Sequence, residues 1–322
     1  MNIEFGRNLT ERENPLKRRK GESLLSAVGR KLWQDKVLYL MLIPTLVFFF
    51  VFRVGPIINM RLAFYNFRRT GPWEFVGLHH FRILFDTPVF YQIIRNTLII
   101  SFMRIVLLFP FVVAFAILLN EIRSNRFRKF MQIISYVPNF FSWVVIASIW
   151  ITFLSPRHGA VNDIITLFGF APVDFMTNRD TIRWVLFFSL MWRSIGWDSI
   201  IYLTTIFGIS PDLFEAAELD GAGRLRVIKS IILPALYPAM ATIFILNLGF
   251  FLSAGFEQIF NFTNDAVNSV VDIIDTYVWR IGFLHGQFSL ASAVNLLKGI
   301  FGVLLILATH LVSKRFTGKG VW

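Results

Sequence analysis

Cysteine is absent from the 322 residues. That excludes disulfides, Cys-bound metals and thiol catalysis. Charge is scarce too: Asp, Glu, Lys and Arg make up 16% of the chain, against about 25% in an average soluble domain. The histidines, His79, His80, His158, His285 and His310, show no metal-ligand spacing of the H-E-x-x-H kind. A phosphate-cradling loop needs G-x-x-x-x-G-K-[ST]. Gly318-Lys319-Gly320 comes nearest and lacks both the Ser/Thr and the preceding Gly. No solenoid-type repeat and no low-complexity segment is present.

Apolar residues are abundant instead, at 55% of the chain, with a mean hydropathy of +0.60. A water-soluble globule of this length has no interior large enough to hide them. Soluble enzymes and disordered proteins are excluded, and a polytopic membrane protein remains. The net charge of +12 would suggest nucleic acid in a polar chain. Here it reads as Lys and Arg flanking membrane spans, so the expected partner is a lipid bilayer and not a nucleic acid.

A span needs about 20 largely apolar residues. Six runs qualify: 37–57, 97–120, 131–154, 184–207, 235–256 and 289–311. They are continuously apolar rather than alternating, which predicts helices and not a barrel. With the N-terminus inside, the inner segments carry 19 Lys and Arg and the outer ones 9. The short Glu121–Phe130 loop, with Arg123, Arg126, Arg128 and Lys129, gives the clearest vote. Both termini are therefore expected in the cytoplasm, and the first run is expected to be an uncleaved span. The domains follow: a cytoplasmic tail 1–36, a membrane domain 37–311 containing the loop 208–234, and a cytoplasmic tail 312–322. Within the first tail, 24–36 carries an apolar stripe beside basic residues. It either lies along the inner membrane surface or is a solvated tail. Of the outer loops, 58–96 reads as an irregular connection and Val161–Phe168 as a short helix.

The inner loop 208–234 is the most informative stretch. Ser210 suits an N-cap and Pro211 the first helical position. Asp212 and Glu215 favour the helix dipole, and Gly221 suits the residue that ends a helix. A short helix with Leu213, Phe214 and Ala217 on one side is predicted, with the small Ala216 and Ala217 lowering its profile for docking into a partner's groove.

This stretch resembles the EAA loop of permease subunits of binding-protein-dependent ABC importers. The family pattern is met in full by Glu215, Ala216, Ala217, Gly221, Ile231, Leu233 and Pro234, and Asp220-Gly221-Ala222 has the form common in sugar importers. Phe75-Val76-Gly77-Leu78 with Phe81, and Arg95-Asn96-Thr97-Leu98, are similar to stretches of sugar permeases. Phe256-Glu257-Gln258-Ile259 and Val271-Asp272-Ile273-Ile274-Asp275-Thr276-Tyr277 resemble the oligosaccharide and polysaccharide branch, which is maltose-transporter-like. The resemblance implies an all-α fold of six transmembrane helices with a cytoplasmic coupling helix, the type I importer permease, in a bacterial-type inner membrane. It also implies partners: two copies of an ATPase subunit that bind ATP and Mg, a second and non-identical permease, and an extracytoplasmic binding protein. No cofactor and no catalytic site is expected in this chain.

Ionisable residues at membrane depth are candidates for the solute pathway. Arg104 is expected to snorkel toward the interface. Arg193 and Asp198 either pair with other helices or line the pathway, and their spacing disfavours a pair with each other. Lys298 must face protein or water, and Asn247 has a comparable claim. Trp192, Trp197 and Tyr202 offer rings for sugar stacking, or else simply pack. The positive excess among these charges hints at an anionic solute such as a uronate oligosaccharide. An ion-coupled secondary transporter is the alternative, but Asp198 is the sole midplane acid to couple an ion. A membrane enzyme would need an interfacial cluster of catalytic side chains, and none stands out.

Overall fold

The computed structural model describes residues 33–317. The stripe 24–36 lies outside the described residues up to position 32. The chain separates into two compact units, 1–61 and 62–322. In the first unit the helix Lys36–Phe49 is apolar on all sides and buries no residue. It continues through a π-helical turn, Phe50–Val54, and the helical stretch extends over Lys36–Phe64, 29 residues in all. At about 1.5 Å per residue this exceeds the hydrocarbon thickness of a bilayer.

In the second unit, three further helices are long and apolar enough to cross a membrane: Pro88–Glu121, Arg224–Leu248 and Phe288–Leu311. Two bent pairs bring the candidate spans to as many as six. The helix Pro88–Glu121 starts nine residues before the expected position 97. Pro88 opens it, and the polar residues that interrupt the apolar run are satisfied inside the protein. Asn96 donates to the carbonyls of Ser269 at 3.0 Å and Asp272 at 3.1 Å, and Gln92 donates to the Ser269 carbonyl.

Three sequence expectations are corrected. The run 131–154 is not one helix. Asn125–Phe140 ends in a 3-10 turn that opens with Pro138 near its start, and Trp143–Phe153 leaves at 108° to it. Ser142 caps the new helix by accepting the Val145 N–H at 3.4 Å. The run 235–256 ends as a helix at Leu248, because Gly249 begins an irregular turn and Gly255 takes φ +90°. Finally, 257–288, counted only as a segment between spans in the tally of Lys and Arg, is built into the packed unit. Its buried Gln258 donates to the Leu186 carbonyl at 2.6 Å and to Ser189 Oγ at 3.0 Å. Arg183 donates to the Val270 carbonyl at 3.0 Å and to Asn96 Oδ1 at 2.9 Å. The segment is thereby stitched to the helices 88–121 and 182–207. The remaining outer elements agree better with expectation: a hairpin of two-residue strands pairs Tyr65 with Phe75, and a short helix spans Ala160–Leu167. The last helix runs to Thr317, beyond the expected 311.

Packing within this unit relies on fit, because lipid tails are as apolar as the side chains and supply no hydrophobic drive between helices. The closest approach occurs at Gly196, where a Cβ would fall 2.3 Å from the Ser135 carbonyl oxygen. Two ion pairs join segments of this unit: Asp272 binds Arg280 and the Thr276 hydroxyl, and Asp275 binds Lys298.

Two outcomes follow. Gly196→Val forces apart the backbones of the 182–207 and 125–136 helices, and overpacking of this kind costs about 1–3 kcal/mol or more. A melting curve of the purified protein in detergent should show a clearly lowered midpoint, and an unchanged midpoint would contradict this packing. Lys298→Ala leaves the Asp275 carboxylate without its partner and should destabilise by about 1–3 kcal/mol. Lys298→Met combined with Asp275→Leu should recover most of that loss, whereas additive losses would show that the pair is not coupled.

Candidate functional site

Two places gather the residues singled out in the sequence. The first is the loop 208–234. Its helix, Pro211–Leu219, leaves the 182–207 helix at 70°. Pro211 occupies the first turn and Asp212 lies in it, as expected. The Ser210 side chain makes no cap hydrogen bond, so this part of the expectation is corrected. Its backbone carbonyl accepts from Leu213 N–H at 3.2 Å instead.

The C-terminal end matches its sequence signal. Gly221 takes φ +69°, a conformation that other residues enter at a cost. Its N–H donates to the Glu218 carbonyl at 3.0 Å, and the Ala222 N–H donates to the Ala217 carbonyl at 2.9 Å. This is a Schellman closure, which satisfies carbonyls at the helix end and fixes the exit direction of the chain.

Phe214 turns inward against the main core, whereas Leu213 is 52% exposed. The expected single side holding Leu213, Phe214 and Ala217 is therefore split. Leu213, Ala216, Ala217, Asp220, Arg226 and Ile231 line an open groove of about 570 Å³. Ala222 joins this lining, and Glu215 is exposed beside it. Leu233 is half-buried, and Pro234 lies in the first turn of the helix Leu233–Leu248. The π-helical turn Ile228–Ile232 precedes that proline, in the stretch where its missing N–H interrupts the α-helical ladder. Arg224, just past the Gly221 turn, pairs with Glu121 at 2.6 Å, which ties the loop to the end of the 88–121 helix.

The second place is a cavity of about 390 Å³ whose polar lining is Arg104, Asn139, Arg193, Ser194, Asp198, Tyr202 and Asn247. Two helices supply its charges and a third supplies Asn247. Arg193, Asp198 and Tyr202 project from Ile182–Phe207. Asn247 sits in the last turn of Leu233–Leu248. Arg104 lies in the π-helical turn Met103–Leu107 of the second span. Such turns re-aim side chains and recur at functional positions.

Arg104 does not snorkel, contrary to expectation. Its Nη1 is buried without a hydrogen-bond partner and presses on Gly255, where a Cβ would come within 2.6 Å of it. Arg193 donates to the Asn139 carbonyl at 3.2 Å and stacks 4.9 Å over the Trp143 ring, while its Nε is buried without a partner. Both guanidiniums interact electrostatically with Asp198, which forms no hydrogen bond or ion pair among the described residues.

The cavity does not gather every candidate. Lys298 is held by Asp275 and is absent from the lining. Trp192 meets Trp150 edge-on at 6.5 Å and Trp197 meets Phe140 at 5.6 Å, and neither ring lines the cavity. Tyr202 does. Sequence reasoning missed Asn139 and Trp143, although both flank the helix break that Pro138 announces. Among the described residues, no group of three or more His, Cys, Asp or Glu is placed to hold a metal ion.

Comparison with known proteins gives the family. Residues 107–317 match the family described as binding-protein-dependent transport system inner membrane component. The polygalacturonan/rhamnogalacturonan transport system permease of Bacillus subtilis (strain 168) is 36% identical over 298 residues, covering 91% of this chain and 92% of that protein. The arabinooligosaccharides transport system permease of the same organism is 27% identical over 288 residues, covering 87% and 88%. A crystal structure of a bacterial ABC transporter involved in the import of the acidic polysaccharide alginate contains a chain 34% identical to this one. The TM-score is 0.83, and the match covers 90% of this chain and 99% of that one. A second crystal structure, of the bacterial alginate ABC transporter in complex with an alginate pentasaccharide-bound periplasmic protein, matches with the same identity and TM-score over 91% of this chain. The fold is that of a type I importer permease. The matched segment contains the loop 208–234 and every polar cavity residue except Arg104, and the chain belongs to the family of inner membrane components of binding-protein-dependent transport systems.

Proposed function

We propose that this chain is one of two non-identical permeases in an ATP-driven importer of oligosaccharides or polysaccharides, acidic uronate polymers in particular. The cavity forms its half of the pathway. Solute arrives from an extracytoplasmic binding protein, and one of two copies of a separate ATPase subunit, holding ATP and Mg, docks on the helix Pro211–Leu219. Both termini and the loop 208–234 face the cytoplasm of a bacterial-type inner membrane, in line with the basic short loops.

One observation carries this reading. The exposed helix is the direct link between the two helices that carry most of the cavity's polar groups, Ile182–Phe207 and Arg224–Leu248. The Glu121–Arg224 pair adds the third, the one that bears Arg104. A tilt imposed on Pro211–Leu219 therefore reaches the helices that bear Arg104, Arg193, Asp198, Tyr202 and Asn247. The acidic solute is supported by the relatives that handle polygalacturonan/rhamnogalacturonan and alginate. Glu215, Ala216, Ala217, Asp220, Gly221 and Ala222 form the docking element. Ile231, Leu233 and Pro234 fix the helix that follows.

The test reconstitutes the complete complex and compares uptake with ATP hydrolysis. Gly221→Pro imposes φ near about −65° where the chain needs a positive value, and Glu215→Lys reverses a charge on the docking surface. Both variants should remain in the membrane and lose uptake per ATP by about tenfold or more, the effect of roughly 1.4 kcal/mol. Normal ATP-driven uptake by both would overturn the assignment.

A further inference from the structure

We propose that Arg104 and Arg193 form the carboxylate-binding half of a uronosyl subsite, in which Asp198 and Asn247 take the sugar hydroxyls. The inference rests on the permease reading above and adds to it the residues that recognise the solute's charge.

Four arginines that are not exposed contrast with one another. Arg183 and Arg280 hydrogen-bond inside the protein, the first to Asn96 and the Val270 carbonyl, the second to Asp272. Among the described residues, Arg104 and Arg193 are the arginines with buried side-chain nitrogens that lack a partner, and both line the same cavity. A buried donor left unmade is costly, and more so on a charged group. A bundle that pairs Gln258, Asp272 and Lys298 so thoroughly leaves these two guanidiniums on a cavity wall with no carboxylate hydrogen-bonded to either among the described residues.

Their chemistry selects the visitor. A guanidinium presents donors in a planar fork that matches a carboxylate, and two forks from different helices can share the carboxylate of one uronate ring. The Arg193 guanidinium is also held from behind, by the Trp143 face and the Asn139 carbonyl. Such backing locks the first contact group in place before the ligand arrives. Asp198 shares the cavity without a partner of its own, and an ionised carboxylate is acceptor-only, suited to sugar hydroxyl donors. Its negative charge also limits how tightly an anion is held, which a transport site requires for release. The cavity's 390 Å³ lies within the range of about 300–1,000 Å³ usual for small-molecule sites.

The experiment compares oligogalacturonate with its methyl ester, which keeps the ring hydroxyls and removes the charge. Maximal uptake of each is measured with the reconstituted complex and saturating binding protein, and the ratio of the two rates is the readout. Wild type should favour the acid. Arg104→Gln and Arg193→Gln should each reduce that ratio about tenfold, and Arg104→Lys, which keeps the charge and loses the fork, should fall between. Arg82→Gln, on an exposed outer helix, should leave the ratio at the wild-type value. Variants that keep the wild-type preference would overturn the subsite and leave the acidic solute standing, since the choice would then be made elsewhere in the complex. A wild-type ratio of one, or uptake of the ester alone, would overturn both. If Arg104→Gln fails to reach the membrane, Arg104→Lys and Arg193→Gln decide the matter.

Discussion

Hydrocarbon offers no hydrogen bonds, and that constraint divides the polar groups of this protein into two sets. One set is closed. Asp272 holds Arg280 and the Thr276 hydroxyl, Asp275 holds Lys298, and Gln258 is buried on the Leu186 carbonyl. These groups stitch the segment 249–287 into the bundle and are structural, because each would be costly if left alone. The other set is open. Arg104, Arg193, Asp198 and Asn247 face one cavity, with buried nitrogens on both arginines that have no partner among the described residues. A protein that satisfies the first set so fully has reason to leave the second to a passing solute.

The helices that carry the open set converge on the loop 208–234. Rigidity there matters more than affinity. The Schellman closure at Gly221 fixes how Pro211–Leu219 joins the helix that follows, and Phe214 anchors it on the core. The Glu121–Arg224 pair is exposed and contributes little to stability by itself. Its position gives it a mechanical role, since it binds the end of the second span to the start of the fifth. Two walls of the cavity are thus continuous with the docking helix in the chain, and the third is tied to it by an ion pair.

Much of this was legible in the sequence. The apolar runs located most of the long helices, and the pattern Glu215-Ala216-Ala217 to Pro234 located the short exposed helix and its glycine turn. The failures share a physical cause: a scan for apolar runs cannot see polar groups that the fold satisfies. Gln92 and Asn96 seemed to end the second span early, yet their hydrogen bonds to 269–272 let the helix begin at Pro88. Gln258 and Asp272 help to keep 257–288 out of the apolar runs, although both are buried. The break at Val137–Ser142 was foreshadowed by Pro138 alone, whose 108° consequence depends on packing against the 182–207 helix. Lys298 and Arg104 were interchanged in role, because charge and depth do not reveal which cation has a carboxylate waiting on a distant segment.

The absence of cysteine makes the central claim directly measurable. In an Asn247→Cys variant the new thiol is the chain's sole target for a maleimide, and it sits on the cavity wall. In the reconstituted complex its reaction with a reagent supplied from the binding-protein side should be slow at rest and should accelerate when ATP and loaded binding protein are both present. A rate indifferent to ATP would contradict the claim that the exposed loop drives the cavity walls.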